Sequence, residues 1–321
     1  MYNTIIGIDV SKDDFVAAIH GCKSAHTFAN NSEGFAEFTK DFEYHLEDCL
    51  VVLEVTGGYE QTLTLQFVSQ GINVHKASGR QIKNFIRSFG KHAKTDKIDA
   101  LAIARYGHDR QLGLKLYEPK SCTSEMLYNL VMRKQDLMQV LVAEKNRYQA
   151  PNNEALKDGI KRHIEFVEAE IQDLETKLAE CLKDDEAYAR KAQELLSIPG
   201  VGIKTVYSIL ALVPELGTLN GKQIASLCGL APHPKQSGKS KGYSATIGGR
   251  RDLRPALFMA AMAAARSKSR LGDWYQSLTG RGKKKMISQV ALMRKIMVIA
   301  NAKIRDLLNG VVVVEPCGKS A

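Results

Sequence analysis

The stretch TIIGIDVSKDDFVAAIHG, residues 4–21, decides the fold class of the N-terminal part of the chain. Two apolar runs flank a short polar turn, which is the pattern of two successive β-strands. The run SAHTFAN, residues 24–30, predicts a third strand. A helix is predicted to follow from about Ser32 to His45, so the chain opens with three strands and a helix.

Strand and helix signals continue to alternate beyond this point. CLVVLEVTG (49–57) predicts a strand, and a helix is expected from about Tyr59 to Gln70. INVHKAS (72–78) predicts a short strand, with helical segments from Arg80 to about His108. Three strands, helix, strand, helix, strand and helix is the order of a ribonuclease-H-like domain. We therefore predict an α/β domain with a mixed sheet over residues 1–110.

Long helices are predicted over residues 121–190. Apolar residues spaced alternately by four and three form a heptad seam in the second half of this segment. The seam consists of Ile160, Ile164, Val167, Ile171, Leu174 and Leu178. APNN at 150–153 separates it from a poorer seam upstream, which predicts an antiparallel helical hairpin or coiled-coil arm. A spacer or oligomerisation role and an ordinary packed helix pair both remain open.

A second, mostly α-helical unit is predicted over residues 195–310. LLSIPGVGIKTVYSILALV (195–213) has the helix, glycine turn and helix of a helix-hairpin-helix motif. In such a motif the backbone amides around Gly200 and Gly202, with Lys204 nearby, can meet a phosphate at a helix N-terminus. The alternative is a glycine turn between two packed helices. The tail, 311–321, is assigned no function.

The charge of the chain is concentrated in its C-terminal third. The net charge is +10, yet residues 200–321 alone contain 20 Lys and Arg against 5 Asp and Glu. Such asymmetry favours a nucleic-acid partner, although a solvated basic surface is the alternative. We expect nucleic-acid contacts from Lys94, Lys97, Gly200, Gly202, Lys204, Lys235, Lys239, Lys241, Arg250, Arg251, Arg254, Lys283, Lys284 and Lys285.

Several classes of protein are disfavoured by composition. No apolar run is long enough for a membrane span, and the N-terminus lacks a signal-peptide pattern, so a cytoplasmic protein is expected. The six cysteines form no C-x-x-C pair, so the sequence indicates neither a disulfide framework nor a zinc site.

Four carboxylates are candidates for a metal site. Asp9 and Glu54 end predicted strands that are neighbours in this fold, and Asp96 and Asp99 share one helix face in KHAKTDKIDA (91–100). Thr95 or Asp96 could instead cap that helix, with Asp99 in its first turn. Converging carboxylates suit Mg²⁺, or Mn²⁺, and two ions about 4 Å apart can activate an oxygen nucleophile in phosphodiester chemistry.

The motifs GIDVSK, LEVTGGY, KTDKIDA, IPGVG, GLAP, SG and LR occur in this order and together resemble the DEDD transposases of the insertion-sequence 110 family. The resemblance covers nearly the whole chain. It implies that Asp9, Glu54, Asp96 and Asp99 are a RuvC-like metal tetrad and that Ser237 is a nucleophile forming a covalent phosphoserine intermediate. It further implies donor and target DNA as substrates and a structured bridge RNA as guide in a bacterium or archaeon. A homo-oligomer, dimer or tetramer, is expected if different protomers complete the site.

The local sequence around Ser237 leaves alternatives open. Lys235, Lys239 and Lys241 could supply positive charge for a serine nucleophile. Ser240, Ser244 and Tyr243 are competing hydroxyls, and a loop that only grips phosphate is the simpler interpretation.

Three rival functions also remain. A hydrolytic structure-specific nuclease or resolvase would use the same carboxylates without a serine. An actin-like or sugar-kinase ATPase is suggested loosely by GIDVSK. A non-catalytic nucleic-acid scaffold would need only the basic C-terminal third.

Overall fold

The computed structural model describes residues 2–89, 95–119, 121–151, 153–233, 236–237, 240–241 and 245–310, the side chains of 236–237 and 240–241 excepted. The chain forms two compact units that divide between Pro119 and Lys120. The finer domain limits given above stay predictions.

A five-stranded mixed sheet forms the centre of the N-terminal unit. Its strands are β1 (Thr4–Val10), β2 (Asp14–Ile19), β3 (His26–Ala29), β4 (Cys49–Glu54) and β5 (Asn73–Ala77). They lie in the order β3-β2-β1-β4-β5. The first three strands pair antiparallel, whereas β4 and β5 pair parallel to β1 and to β4. The predicted mixed α/β unit is thus confirmed, and the first and fourth strands are neighbours.

Helices cover both faces of this sheet. They are α1 (Ser32–Asp41), α2 (Gln61–Ser69), α3 (Gly79–Arg87) and α4 (Asp96–Arg110). On one face Ile6, Ile8 and Val10 pack with a cluster of phenylalanines that includes Phe38 and Phe67 of α1 and α2. On the opposite face the alternate strand residues pack against α3 and α4. Because side chains alternate between the two faces of a strand, the strands contribute to two apolar layers.

Backbone contact fixes the position of α4 on the sheet. A Cβ at Gly7 of β1 would collide with the backbone of Ala100 and Ala104. A Cβ at Gly107 would lie 2.7 Å from methyl groups of both Ile5 and Val52. Later residues of β1 thus meet earlier residues of α4, so the helix runs antiparallel to the strand.

The C-terminal unit is mostly helical, as predicted. Its helices are α5 (Cys122–Gln149), α6 (Lys157–Lys183), α7 (Glu186–Leu196), α8 (Ile203–Leu212), α9 (Gly221–Leu227), α10 (Arg254–Arg266), α11 (Arg270–Gly280) and α12 (Lys285–Leu308). Between α9 and α10 lie two small ladders: β6 (Pro232–His233) pairs with β9 (Ala245–Thr246), and β7 (Gln236–Ser237) pairs with β8 (Ser240–Lys241).

The helices α5 and α6 form a long hairpin whose base belongs to the C-terminal core. Val167, Ile171 and Leu174 of the predicted seam pack against Leu137 and Leu141 of α5. Nearer the base, Leu127, Val131, Leu178 and Leu182 join the large cluster formed by α7 to α12. The hairpin is therefore continuous with the apolar interior of the C-terminal unit.

Candidate functional site

Two of the four predicted carboxylates lie side by side at the end of the sheet. Ile8 of β1 pairs with Leu53 of β4, so Asp9 and Glu54 are the next pair in the parallel register. Asp9 shares a sheet face with Gly7, and Glu54 shares it with Val52, because side chains alternate along a strand. Gly7 and Val52 both contact α4. Both half-buried carboxylates therefore lie on the α4 side of the sheet.

The other two carboxylates lie in the first turn of α4. Thr95 caps this helix, since its Oγ1 accepts a hydrogen bond of 3.3 Å from the Ile98 amide. Asp96 is exposed and Asp99 is half-buried. Because α4 runs antiparallel to β1, its N-terminal turn lies at the same edge of the sheet as Asp9 and Glu54. Thr95 is therefore the N-cap residue, and Asp96 and Asp99 are the acidic residues of the first turn.

The four carboxylates share a sheet edge but do not form a ready metal cluster. Within the described ranges, no three His, Cys, Asp or Glu side chains are close enough together to hold a metal ion. The donor set itself suits a hard cation such as Mg²⁺. Of the neighbouring basic residues, Lys97 is exposed, and Lys94 lies outside the described residues. The metal tetrad thus stays a prediction, supported by backbone placement and donor type.

Glu54 lies against the start of α3. A Cβ at Gly79, the first residue of α3, would collide with Glu54 Oε1 and would lie 3.2 Å from its carboxyl carbon. Glycine at this position therefore leaves room for the carboxylate. Gly79 was not among the predicted site residues, because its contact with Glu54 forms only when the chain folds.

The loop that follows Glu54 is held by a buried glutamate. Glu60 is 2% exposed, and its Oε2 accepts hydrogen bonds from the amides of Thr56 (3.2 Å) and Gly58 (3.0 Å). Its Oε1 lies 2.8 Å from Lys76 Nζ. Burial alone would raise the pKa of Glu60, but the hydrogen bonds and charge of Lys76 outweigh it and lower the pKa. The Glu60 carboxylate therefore has a structural role. The local sequence does not distinguish this role from the metal-binding role predicted for Glu54.

Ser237 lies in the β7–β8 ladder of the C-terminal unit. Its backbone pairs with Ser240, while Gln236 pairs with Lys241. The side chains of these residues are outside the described part of the chain, as are Lys235, Lys239, Tyr243 and Ser244 altogether. The assignment of Ser237 as nucleophile therefore stays a prediction.

Arg254 joins the two ends of the segment that contains Ser237. Its Nη2 donates to the carbonyls of Gly229 (2.7 Å) and Gly248 (2.9 Å). The backbone segments at Gly229 and Gly248 are in direct contact, because a Cβ at Gly229 would collide with Gly248 O. Arg254 therefore has hydrogen-bond partners within the protein, whereas the sequence predicted that it contacts a phosphate.

The other predicted arginines and lysines divide into inward and exposed groups. Arg250 forms a bidentate pair with Glu215, both bonds at 2.6 Å, and also donates to Leu212 O at 2.7 Å. Arg251 and the run 283–285 are exposed. The exposed group is free to meet a phosphate backbone, whereas Arg250 already holds α8 to the start of α10.

The predicted glycine turn connects α7 to α8. Gly200 has φ +86°, and a Cβ there would collide with the backbone of Ala260 in α10. Gly202 precedes α8 with open space around it, and no side chain caps that helix. Lys204 Nζ lies 2.7 Å from Glu175 Oε1, although its side chain is 70% exposed. Gly200 is thus a packing requirement, whereas Gly202 leaves the amides at the start of α8 open.

Comparison with known proteins identifies the family of this chain. Residues 6–151 match a family model described as transposase, and residues 192–276 match one described as transposase of the IS116/IS110/IS902 family. The two Moraxella proteins described below are 30% identical to the chain over 315 residues. The chain belongs to the IS116/IS110/IS902 transposase family. It is accordingly a DNA transposase or recombinase enzyme.

The similar proteins include two from Moraxella and one from Streptomyces. The pilin gene-inverting proteins of Moraxella lacunata and Moraxella bovis each align over 95% of this transposase and 97% of their own length. An uncharacterized protein of insertion element IS110 from Streptomyces coelicolor is 35% identical over 115 residues, covering 35% of this chain and 28% of its own. In the described part of this transposase, no helix is both long and apolar enough to cross a membrane.

Proposed function

We propose that this transposase cuts and rejoins DNA strands by a serine nucleophile, Ser237, assisted by divalent metal at Asp9, Glu54, Asp96 and Asp99. The observation that carries the proposal is the placement of all four carboxylates at one edge of the sheet. The mixed sheet with helices on both faces also supports a ribonuclease-H-like classification. The open N-terminus of α8 supports a helix-hairpin-helix contact to phosphate.

The covalent step uses residues of the C-terminal unit. Ser237 Oγ loses its proton and bonds to phosphorus, while the bond from phosphorus to one deoxyribose oxygen breaks and that oxygen takes a proton. The phosphoserine ester conserves the energy of the broken bond, so rejoining needs no ATP. Bound Mg²⁺ supplies stabilisation of the charge that develops on the phosphate oxygens. The carboxylates hold the ion, and exposed lysines such as Lys97 bind the phosphate backbone.

A guide RNA and a homo-oligomer are parts of the same proposal. The excess of basic residues after residue 200 supports a polyanionic partner, and an RNA that pairs with DNA leaves the protein to grip backbone and shape. RNA that co-purifies with the protein, is identified by sequencing and is required for strand joining supports the guide. Sedimentation showing only monomer with and without nucleic acid contradicts the oligomer.

The test is a cleavage assay on a plasmid that contains the native flanks of the gene, with Mg²⁺ and co-purified RNA. Protease digestion and mass spectrometry then locate any DNA-linked peptide. We expect an adduct on Ser237 that disappears in Ser237→Ala and in Asp96→Asn. Ser240→Ala and Asp109→Asn, which change a nearby serine and an exposed aspartate near the other end of α4, serve as matched controls and should keep the adduct.

Other outcomes would support the rivals. Free DNA ends without an adduct, unchanged by Ser237→Ala, would make the protein a metal-dependent nuclease. Thermal stabilisation by ATP would favour the ATPase. Magnesium titration without a carboxylate-dependent site would favour the non-catalytic scaffold.

A further inference from the structure

A pocket of about 510 Å³ lies between α11, α12 and the turn that follows α7. Its size falls within the range of small-ligand sites, about 300–1,000 Å³. Ile198, Leu271 and Ile299 supply its apolar lining. Pro199 of the glycine turn also lines it, so the pocket adjoins the predicted phosphate-binding turn.

An aromatic ring and three cations line the same pocket. Trp274, the single tryptophan of the chain, is half-buried in its wall. Lys295 Nζ lies over the face of the tryptophan ring, 5.0 Å from its centroid. Arg270 and Lys303 complete the basic set, and Lys303 also lies 3.1 Å from Glu194 Oε2.

The residues on each helix are arranged to face the pocket together. Lys295, Ile299 and Lys303 follow one another at intervals of four on α12, so they form one stripe of that helix. Arg270 and Trp274 have the same interval on α11. The two stripes bring three cations and one aromatic ring into the lining of a single pocket. Trp274 packs against the large apolar cluster and, being half-buried, also lines the cavity.

We propose that this pocket binds one unpaired nucleotide of a single-stranded nucleic acid. The base replaces the Lys295 ammonium on the face of Trp274, and the displaced Lys295 side chain joins Arg270 in neutralising the adjoining phosphates. Aromatic side chains combined with a basic groove are the recurring means of holding single strands, because every base offers a π-face. A duplex cannot use such a pocket, since its bases are stacked on each other. The inference rests on the proposed function for the presence of a nucleic-acid partner, and it adds the site and strand state that are recognised.

Trp274 makes the test direct, because the intrinsic tryptophan fluorescence of the full chain comes from the pocket alone. The protein is titrated with a U10 oligoribonucleotide, a dT10 oligodeoxynucleotide, a blunt hairpin duplex and uridine monophosphate. We expect saturable quenching by at least one single strand, with weak or no quenching by the duplex and the mononucleotide. The strand with the lower Kd identifies the partner as RNA or DNA.

Variants then separate stacking from charge. Anisotropy of a labelled decamer should show Trp274→Ala weakening binding about 5- to 150-fold, with Trp274→Phe recovering part of the loss. Lys295→Ala should lower the salt dependence by about one released ion. Lys161→Ala, at an exposed lysine of α6, is the matched control and should change neither. Circular dichroism checks that each variant is folded.

Three results overturn the pocket. The first is that neither single strand quenches the fluorescence. The second is equal affinity for duplex, mononucleotide and single strand. The third is decamer binding by Trp274→Ala equal to that of the unmodified chain. Because the assay measures binding and not cleavage, it stands apart from the Ser237 adduct. Quenching without any adduct contradicts the proposed chemistry alone, and an adduct without quenching contradicts the pocket alone.

Discussion

Gly79→Ala should lower DNA cleavage without lowering stability. The added methyl group would stand inside the contact distance of Glu54 Oε1 and 3.2 Å from its carboxyl carbon. Ordinary contacts are about 3.5–4.0 Å, so the carboxylate must move by roughly 1 Å. The atoms that must move are the flexible end of a side chain, so the backbone of α3 stays in place.

The expected effects on stability and on the cleavage rate have opposite directions. Gly79 has no positive φ, so alanine fits its backbone, and such a substitution stabilises a protein by about 0.4–1 kcal/mol because it lowers the conformational entropy of the unfolded chain. Misplacing a catalytic group by about 1 Å can cost on the order of 100-fold in rate. We therefore expect an unchanged or slightly higher melting temperature together with a loss of about 100-fold in cleavage.

The assay compares Gly79→Ala with Gly113→Ala. Gly113 also lies in the N-terminal unit, is exposed, and has nothing within 4 Å of an added Cβ. Thermal unfolding and the plasmid cleavage rate are measured for both variants and for the unmodified chain. Full cleavage by Gly79→Ala would refute the link between Gly79 and the Glu54 carboxylate. Equal losses in both variants would show that the effect is not specific to Glu54.

Three further predictions concern the charged groups. The pKa of Glu60 is lowered in the folded protein, so the contribution of this carboxylate to stability is complete above its unfolded pKa, about 4.3, and is lost as the pH falls through the folded value. Urea unfolding of Glu60→Gln should therefore show a smaller loss of stability below about pH 5 than the unmodified chain shows. An equal loss in the two proteins would contradict this. Arg254→Lys should destabilise the C-terminal unit by about 2 kcal/mol in thermal unfolding, because two carbonyls lose their donor, and an unchanged melting temperature would contradict the role of Arg254. Replacing residues 283–285 together by alanine should reduce the salt dependence of DNA binding by up to about three released ions, because these side chains are exposed. Arg250→Ala should instead lower stability and leave the salt dependence unchanged, because Arg250 is paired with Glu215. The reverse pattern would show that the two groups are misassigned.

The N-terminal fold follows closely from the sequence because its signals are local. Apolar alternation sets the five strands, and the helix predicted to end at His45 differs from α1 only because its last residues, from Glu43, form a short 3₁₀ turn. The end of the strand at Glu54 and the first turn of α4 at Asp96 could likewise be placed from pattern alone. The common sheet edge then follows from strand order.

The roles of the basic residues could not be predicted in the same way. Arg250 and Arg251 are adjacent, yet one is paired with Glu215 across 35 positions and the other is exposed. No periodicity connects an arginine to a carboxylate or carbonyl so distant along the chain. Gly79 and Glu60 were missed for a related reason, since each acts through a contact that exists only after the chain folds.

The hairpin of α5 and α6 has a consequence for the order of folding. Its internal contacts, such as Lys145 with Glu168 and then Lys134 with Glu175, lie within one contiguous segment and can form in turn outward from the bend between α5 and α6. Each further contact then closes little additional chain, so the hairpin can form before the contacts with the later helices. During synthesis residues 122–183 emerge before α7 to α12, so the hairpin can present Leu127, Val131 and Leu178 as a template on which the later helices condense.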